Sequence, residues 1–256
     1  LPVFSFRTKE SAGVGEFKDI SVLVDWAKKT GLKVIQVLPV NDTTAHHLWT
    51  DSYPYAAVSV HALHPIYANM EAIGPLNDKG RWKEIQTEAA KLNELKELDY
   101  VAVMKLKSTF FKYSYDENKA SFLKSKELKS FLSENKSWIH DYAVFSCLRD
   151  RNKTPDFTKW KEHREMTEDQ VKAFASPGSD DYDDVAVHYY IQYYLDKQLN
   201  EVSHYAREQG IILKGDIPIG IYRHSIDAWR KPHLFHLDKQ AGAPPDMFST
   251  TGQNWG

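Results

Sequence analysis

Residues 17–40 read FKDISVLVDWAKKTGLKVIQVLPV, and this run decides the fold class. Its first part carries Phe17, Ile20, Val24 and Ala27 at helical spacing, with Leu23 and Trp26 beside them. Gly31 stands where such a helix would stop, because glycine takes the left-handed conformation of a helix end without a Cβ penalty. Residues 33–40, KVIQVLPV, are short, apolar and β-branched, which predicts a buried parallel strand. Helix, glycine and buried strand make half of a βαβ unit. Residues 211–217, IILKGDI, follow a second glycine stop at Gly210 and read as a strand of the same kind. Residues 56–67, AAVSVHALHPIY, contain a further expected strand with less defined limits.

Between these strands the pattern changes. Residues 92–111, 120–132, 138–149 and 185–207 are long, charged and helical, with loop-like breaks at 154–160 and 176–184. In the last helix Tyr190, Tyr194, Leu195 and Leu199 form a stripe best read as core. Two α/β-type elements therefore bracket a helical block. The expected division is residues 1–75 for the first strands and helices, 76–207 for a helical insertion, and 208–256 for a third strand and a long loop. No internal repeat or low-complexity tract is present.

The chain has 256 residues with 42% hydrophobic content, enough for a large core. The net charge is -2, and no segment is basic enough for a nucleic-acid groove. The Lys-rich residues 119–136 alternate with Glu and Leu, as a solvated helix face does. The single cysteine, Cys147, lies in an apolar context and allows no disulfide within one chain. A reducing, cytoplasmic compartment is the simplest expectation. No apolar run reaches the roughly 18 residues of a membrane span, and the amino end does not resemble a signal peptide. Both ends read as cut: the chain opens on Leu1 without a methionine and stops at Gly256 in mid-loop. Aromatics are dense, at 7 Trp, 14 Tyr and 12 Phe, and most will be core. Tryptophan and tyrosine beside carboxylates also suit a sugar cleft, where pyranose faces stack and hydroxyls need acceptors.

Three polar clusters stand out. The strand at 211–217 runs into Lys214, Gly215 and Asp216, and Pro218 then ends any ladder because it has no N–H to donate. In α/β folds the functional groups gather at the carboxyl ends of the parallel strands. Gly215 would allow a ligand or a neighbouring backbone close. The plainer reading of Asp216 is a loop or helix cap. The first strand likewise runs into Asn41 and Asp42, then Asp51, Ser52, Tyr53, Pro54 and Tyr55. That cluster could be a simple turn, but two such clusters on parallel strands favour a shared cleft. The third is the glycine- and proline-rich loop 242–256, GAPPDMFSTTGQNWG, with Asp246, Gln253, Asn254 and Trp255.

Taken in order, residues 13–17 (GVGEF), 37–43 (VLPVNDT), 51–55 (DSYPY), 214–221 (KGDIPIGI) and 242–256 (GAPPDMFSTTGQNWG) resemble the motifs of the 4-α-glucanotransferases, the amylomaltase or disproportionating-enzyme family. The linking residues 225–238, from Ser225 to Asp238, also fit. The spelling is closest to the branch holding the plant cytosolic enzyme and its bacterial relatives. The resemblance spans nearly the whole chain and implies an α/β fold: part of an α-amylase-like (β/α)8 barrel with a large helical insertion. It implies transfer of α-1,4-glucan segments between malto-oligosaccharides, or to another glucan, with no cofactor. In retaining chemistry of this kind one carboxylate attacks the anomeric carbon and a second protonates the leaving oxygen. Transfer outruns hydrolysis when a sugar, not water, is held on the leaving-group side. By resemblance Asp216 takes a donor-site position near the scissile sugar, Ser52 and Tyr55 line the same site, and Asp246, Gln253 and Trp255 flank the acceptor side.

The chain departs from the family in one respect. The nucleophile belongs to an Arg-x-Asp-His pattern on the next strand, and no such pattern occurs here; the nearest strings are at 149–151 and 224–227. The general acid and third carboxylate are also absent, so the chain reads as part of a larger catalytic domain, inactive alone. A non-catalytic α-glucan-binding piece and a hydrolase of the same fold remain as alternatives. His46, His47, His61 and His64 do not supply a defined metal ligand set, and the acidic run 180–184 reads as a solvated helix start before a cation site. There is no phosphate-binding loop and no nucleophile elbow. The sequence is silent on oligomeric state and on the preferred acceptor.

Overall fold

The computed structural model describes residues 1–218 and 220–254. Its elements follow in the order α1 (Ile20–Thr30), β1 (Val34–Gln36), α2 (Met70–Ile73), α3 (Lys79–Glu94), α4 (Tyr100–Phe122), α5 (Lys126–Glu134), α6 (Ile139–Asn152), α7 (Glu168–Phe174), α8 (Tyr182–Glu208), β2 (Ile212–Lys214), α9 (Ile226–Arg230), β3 (Gly242–Ala243) and β4 (Gln253–Asn254). Single 3-10 turns punctuate the loops, one of them, Phe17–Asp19, leading into α1.

The helix expected over 17–30 forms, and Gly31 caps it in the left-handed region at φ 79°. Its inner face buries Ile20, Leu23, Val24 and Ala27. Trp26 does not join them and is 53% exposed. The glycines before α1 are set by crowding: a Cβ on Gly15 would lie 2.0 Å from the carbonyl oxygen of Val3, so no other residue fits.

β1 pairs with β2 in parallel, Val34 opposite Ile212 and Gln36 opposite Lys214. Residues separated by about 180 positions thus become neighbours. The regular ladder is shorter than the runs 33–40 and 211–217 suggest, ending at Gln36 and Lys214 ahead of Pro39 and Pro218, neither of which could donate to it. The two strands are not buried on both faces. Ile35 points into the core, whereas Val34 is 49% and Ile212 61% exposed. Residues 56–67 form no strand. They make one bridge, Asn41 with Leu63, and a 3-10 turn at Pro65–Tyr67. Gln192 of α8 takes the pairing that a strand would have used: its Oε1 accepts from Leu63 N at 2.8 Å and its Nε2 donates to Leu63 O at 2.8 Å.

The helical region has different limits from those its periodicity suggests, because caps set them. Asp99 accepts from Ala102 N and starts α4, so 92–111 is split between α3 and α4. Ser125 accepts from Leu128 N and starts α5. The acidic stretch 180–184 is ion-paired as well as solvated: Arg151 Nη2 meets Asp181 at 2.6 Å, and Lys119 meets Asp183 at 2.5 Å.

A continuous core joins the helices to α1 and the sheet. Phe145, Trp160 and Trp229 pack as a triangle of rings, with centroids 5.4, 5.7 and 6.0 Å apart. At the centre of the core is a buried ion pair. Lys107 of α4 donates to Glu16 Oε1 at 2.6 Å, to the carbonyl of Ala68 at 2.8 Å and to the carbonyl of Ile66. Asn69 Nδ2 donates to the other Glu16 oxygen at 2.6 Å. All three ammonium protons are used.

Two predictions follow from this interior. Lys107→Ala leaves the Glu16 carboxylate buried without its cation and should cost about 3–5 kcal/mol, read from the urea midpoint. A loss below about 1 kcal/mol would show that the pair is dispensable. Second, burial pushes the His64 and His188 pKa values down to about 4, against the opposing pull of Asp42 on His64 and Asp150 on His188. In the unfolded chain each should titrate near about 6.5. Between those values the unfolded state holds protons that the native state refuses, so this stability is complete above about pH 6.5 and is lost as pH falls toward 4. The thermal midpoint should drop through that window, and His188→Asn should flatten the slope. A pH-independent midpoint there would contradict it.

Candidate functional site

The loop after β1 carries the DSYPY residues, and its backbone is organised by two buried carboxylates. Asp42 accepts from Thr44 N at 2.9 Å with one oxygen and from the Tyr142 hydroxyl at 2.8 Å with the other. Asp51 gathers three consecutive amides on Oδ2, from Ala45, His46 and His47, at 3.0, 2.8 and 2.7 Å. Both acids were expected at the cleft, and both are instead spent on the loop's own amides and a core hydroxyl. Ser52 lies in the 3-10 turn Trp49–Ser52 and borders a recess of about 10 Å³ beside Asn41, His64 and Tyr100. That recess is closed to a sugar.

Beyond Ser52 the chain turns outward. Pro54 separates two tyrosines whose rings lie 5.7 Å apart. The Tyr55 hydroxyl donates to Asp216 Oδ2 at 2.9 Å, across 161 positions of sequence. Asp216 follows β2, and its other oxygen accepts from Ile217 N at 3.0 Å. The hydrogen bond to Asp216 raises the Tyr55 pKa above its ordinary value. A Cβ on Gly215 would meet nothing within 4 Å, so no neighbouring backbone accounts for that glycine.

Tyr53, Tyr55, Tyr222, Arg223, His224 and Gln240 line a cavity of about 670 Å³. Tyr222 meets His224 edge-on at 5.8 Å. The His224 pKa is lowered by burial, against the pull of Asp156, whose Oδ1 lies 3.6 Å from its Nε2. Aromatic faces with phenol, guanidinium and amide groups at the margin suit a polyhydroxylated ligand.

The loop from 242 folds as a hairpin, with Gly242 opposite Asn254 and Ala243 opposite Gln253. Asn254 Nδ2 donates to Gln240 Oε1 at 2.8 Å, which ties the hairpin to the cavity wall. Asp246 is at the far turn, where its Oδ1 accepts from Phe248 N and Ser249 N at 2.8 and 2.7 Å. Phe248 beside it is 90% exposed. Trp255 lies outside the described residues. The structure therefore brings Tyr55 and Asp216 together and sets the base of the 240–254 segment against the same cavity. It places Ser52 in a separate recess and uses Asp246 within its own turn. Sequence reasoning missed Tyr222 and Gln240 as wall residues, and no local motif marks either.

Among the described residues no group of three or more His, Cys, Asp or Glu side chains is arranged to hold a metal. The histidines considered for one are engaged elsewhere: His61 stacks on Trp138 at 5.7 Å, and His64 shares a hydrogen bond with the Tyr100 hydroxyl at 3.0 Å. Among the described residues no helix is long and apolar enough to cross a membrane.

A family model described as 4-alpha-glucanotransferase matches residues 1–256. The 4-alpha-glucanotransferase DPE2 of Oryza sativa subsp. japonica is 42% identical over 256 residues, covering 100% of this chain and 27% of that protein. The 4-alpha-glucanotransferase of Chlamydia trachomatis is 32% identical over 261 residues, covering 100% of this chain and 47% of that protein. Among solved structures, amylomaltase from Streptococcus agalactiae in complex with acarbose aligns with a TM-score of 0.81 at 22% identity, over 100% of this chain and 51% of that one. Amylomaltase from Corynebacterium glutamicum aligns with a TM-score of 0.78 at 20% identity, over 99% and 34%. The chain thus has an α/β fold shared with part of the amylomaltases, and it spans between 27% and 51% of the length of these relatives.

The Tyr55–Asp216 bond is directly testable. In Asp216→Asn the Tyr55 phenol should titrate closer to about 10, followed by NMR of ring-labelled tyrosine and assigned with Tyr55→Phe. An unmoved titration would mean that the two side chains do not meet.

Proposed function

The chain belongs to the 4-alpha-glucanotransferase family, and from that premise we propose that it forms part of the glucan site of an enzyme moving α-1,4-glucan segments between malto-oligosaccharides or onto another glucan. The observation that carries this reading is the meeting of Tyr55 and Asp216 at 2.9 Å beside an aromatic-walled cavity. Each comes from the loop after one of the paired parallel strands, β1 and β2, where α/β folds keep their ligands. The amylomaltase from Streptococcus agalactiae that shares this fold was solved in complex with acarbose, which makes acarbose the ligand to try on this chain.

On this reading Asp216 accepts from a sugar hydroxyl and contributes negative charge near the scissile unit, while Tyr55 orients the carboxylate. Tyr53 offers a stacking face. Asp246, Gln253 and Trp255 would serve the acceptor side, with the hairpin bending inward when a glucan is bound. Ser52 would contribute through the turn that aims Tyr55. Residues 76–207 serve as a helical insertion in a (β/α)8 barrel of α-amylase type. The attacking and protonating carboxylates of retaining chemistry are not among these residues, so the 256-residue chain binds but does not turn over.

Two measurements test this. Incubation of the chain with maltotriose, or with maltose and glycogen, should produce no new malto-oligosaccharides; their appearance would refute the division of labour. Titration with acarbose followed by NMR should perturb Tyr53 and Tyr55, and Asp216→Ala should weaken binding. Placed in the longer protein, Asp216→Ala should lower transfer on the order of a hundredfold with the fold intact. An unchanged rate would remove Asp216 from the site.

A further inference from the structure

The tyrosines of the cavity are carried by a loop that has no regular secondary structure between β1 and the turn at Trp49–Ser52. What holds that loop comes from the helical region. Arg149 of α6 is buried and donates through Nη1 to the carbonyl of Thr44 at 2.8 Å. Its Nε donates to Asp150 Oδ1 at 2.8 Å. The same Asp150 oxygen lies 2.9 Å from His47 Nε2. His47 is in the left-handed region at φ 56°, a conformation unusual for a side-chain-bearing residue. Held so, the amides of 45, 46 and 47 converge on Asp51. Thr43 Oγ1 closes the loop on the carbonyl of Asp51 at 2.5 Å. Asp51 is two residues from Tyr53 and four from Tyr55.

We propose that Arg149 and Asp150 are positioning residues for the glucan site: they clamp both ends of the 44–47 turn, and through Asp51 they set where the Tyr53 and Tyr55 rings stand. The inference rests on the glucan-site reading above. Neither residue lines the aromatic cavity. The division within the clamp is specific. Arg149 grips the backbone at Thr44, and Asp150 grips a side chain three residues later, so the turn is fixed at two points and cannot pivot. The geometry also explains a charged pair in adjacent positions of α6: one member is buried under the loop and the other reaches over its edge. Electrostatics agree, since burial would raise the Asp150 pKa, but the Arg149 guanidinium and the His47 contact outweigh it and hold the carboxyl below its ordinary range.

Three variants of the chain test this: Asp150→Asn, His47→Ala and, as a surface control, Lys172→Ala, which removes an exposed pair with Glu168 on α7. Deuterium exchange read by mass spectrometry should rise about tenfold over residues 44–55 in Asp150→Asn, and less in His47→Ala. Exchange in α4 and the control should stay unchanged. The acarbose dissociation constant, read by NMR titration, should rise three- to tenfold in Asp150→Asn, with Asp150→Glu recovering part of it. A merely structural contact would lower the thermal midpoint without moving the dissociation constant relative to Lys172→Ala, and that result overturns the proposal. So does unchanged exchange over 44–55 in a folded Asp150→Asn. If the unsubstituted chain binds no acarbose, the glucan-site reading fails and takes the positioning role with it. Binding by the unsubstituted chain with an unaltered constant in Asp150→Asn removes the positioning role alone.

Discussion

The Lys107–Glu16 pair is the constraint on which the arrangement depends, because it is where three separate stretches of chain become one body. Glu16 precedes α1, Lys107 is in the middle of α4, and the carbonyls of Ile66 and Ala68 belong to the loop before α2. Taking two charges out of water is expensive, and burial alone would neutralise each: it raises the Glu16 pKa and lowers that of Lys107. Mutual attraction and a complete set of hydrogen bonds offset that cost. An apolar pair of equal volume could fill the space, but it would not discriminate among ways of docking α4. The ammonium group is satisfied only where Glu16 and both carbonyls meet. Two glutamines of α8 act in the same sense: Gln192 brackets the backbone of Leu63, and Gln198 brackets that of Asn69 at 2.8 and 2.9 Å. Helix side chains here replace a strand partner for the 63–69 segment.

The site inherits this logic. Asp42 and Asp51 are buried and hydrogen-bonded to amides, so each supplies a fixed template for a loop that has no ladder to hold it. Arg149 approaches from the helical side and balances the buried negative charge. The loop's shape is therefore a property of the contact between the strand region and the helices, and the cavity is a product of both.

How much of this was legible in the sequence depended on the range of the interaction. The helix at 17–30 and its Gly31 stop were readable because periodicity and capping are local. The parallel relation of β1 and β2 was readable because both runs share a composition. The expected strand at 56–67 failed for a long-range reason: its alternation is real, but Gln192 satisfies Leu63, and Pro65 breaks the run. The expected burial of both strand faces failed as well, since α1 and α8 cover only one. At the site, Asp216 and Tyr55 were identified through the resemblance of KGDIPIGI and DSYPY, and the structure brings them into contact. Nothing in a string of residues separates an acid that will meet a ligand from one that will meet its own amides, which is why Asp42 and Asp51 misled. Arg149 and Asp150 carried no signal, because their role exists only across 105 and 103 positions of chain.

The Tyr55–Asp216 hydrogen bond has a meaning beyond the site itself. A parallel ladder of three residues per strand sets register poorly, and a slip by one residue would turn every side chain to the other face. Here register is secured at both ends. At the start, Ile212 N donates to Lys33 O at 2.8 Å, and at the finish Val37 N donates to Lys214 O at 2.9 Å. Beyond the ladder, the phenol of Tyr55 reaches the carboxylate of Asp216. A shift of one residue would move Asp216 about 3.3 Å along the strand direction, which exceeds the tolerance of any hydrogen bond. The contact that would orient a sugar thus forms only in the register that the backbone bonds at both ends of the ladder already hold, so the strand pairing creates the place where Tyr55 and Asp216 meet.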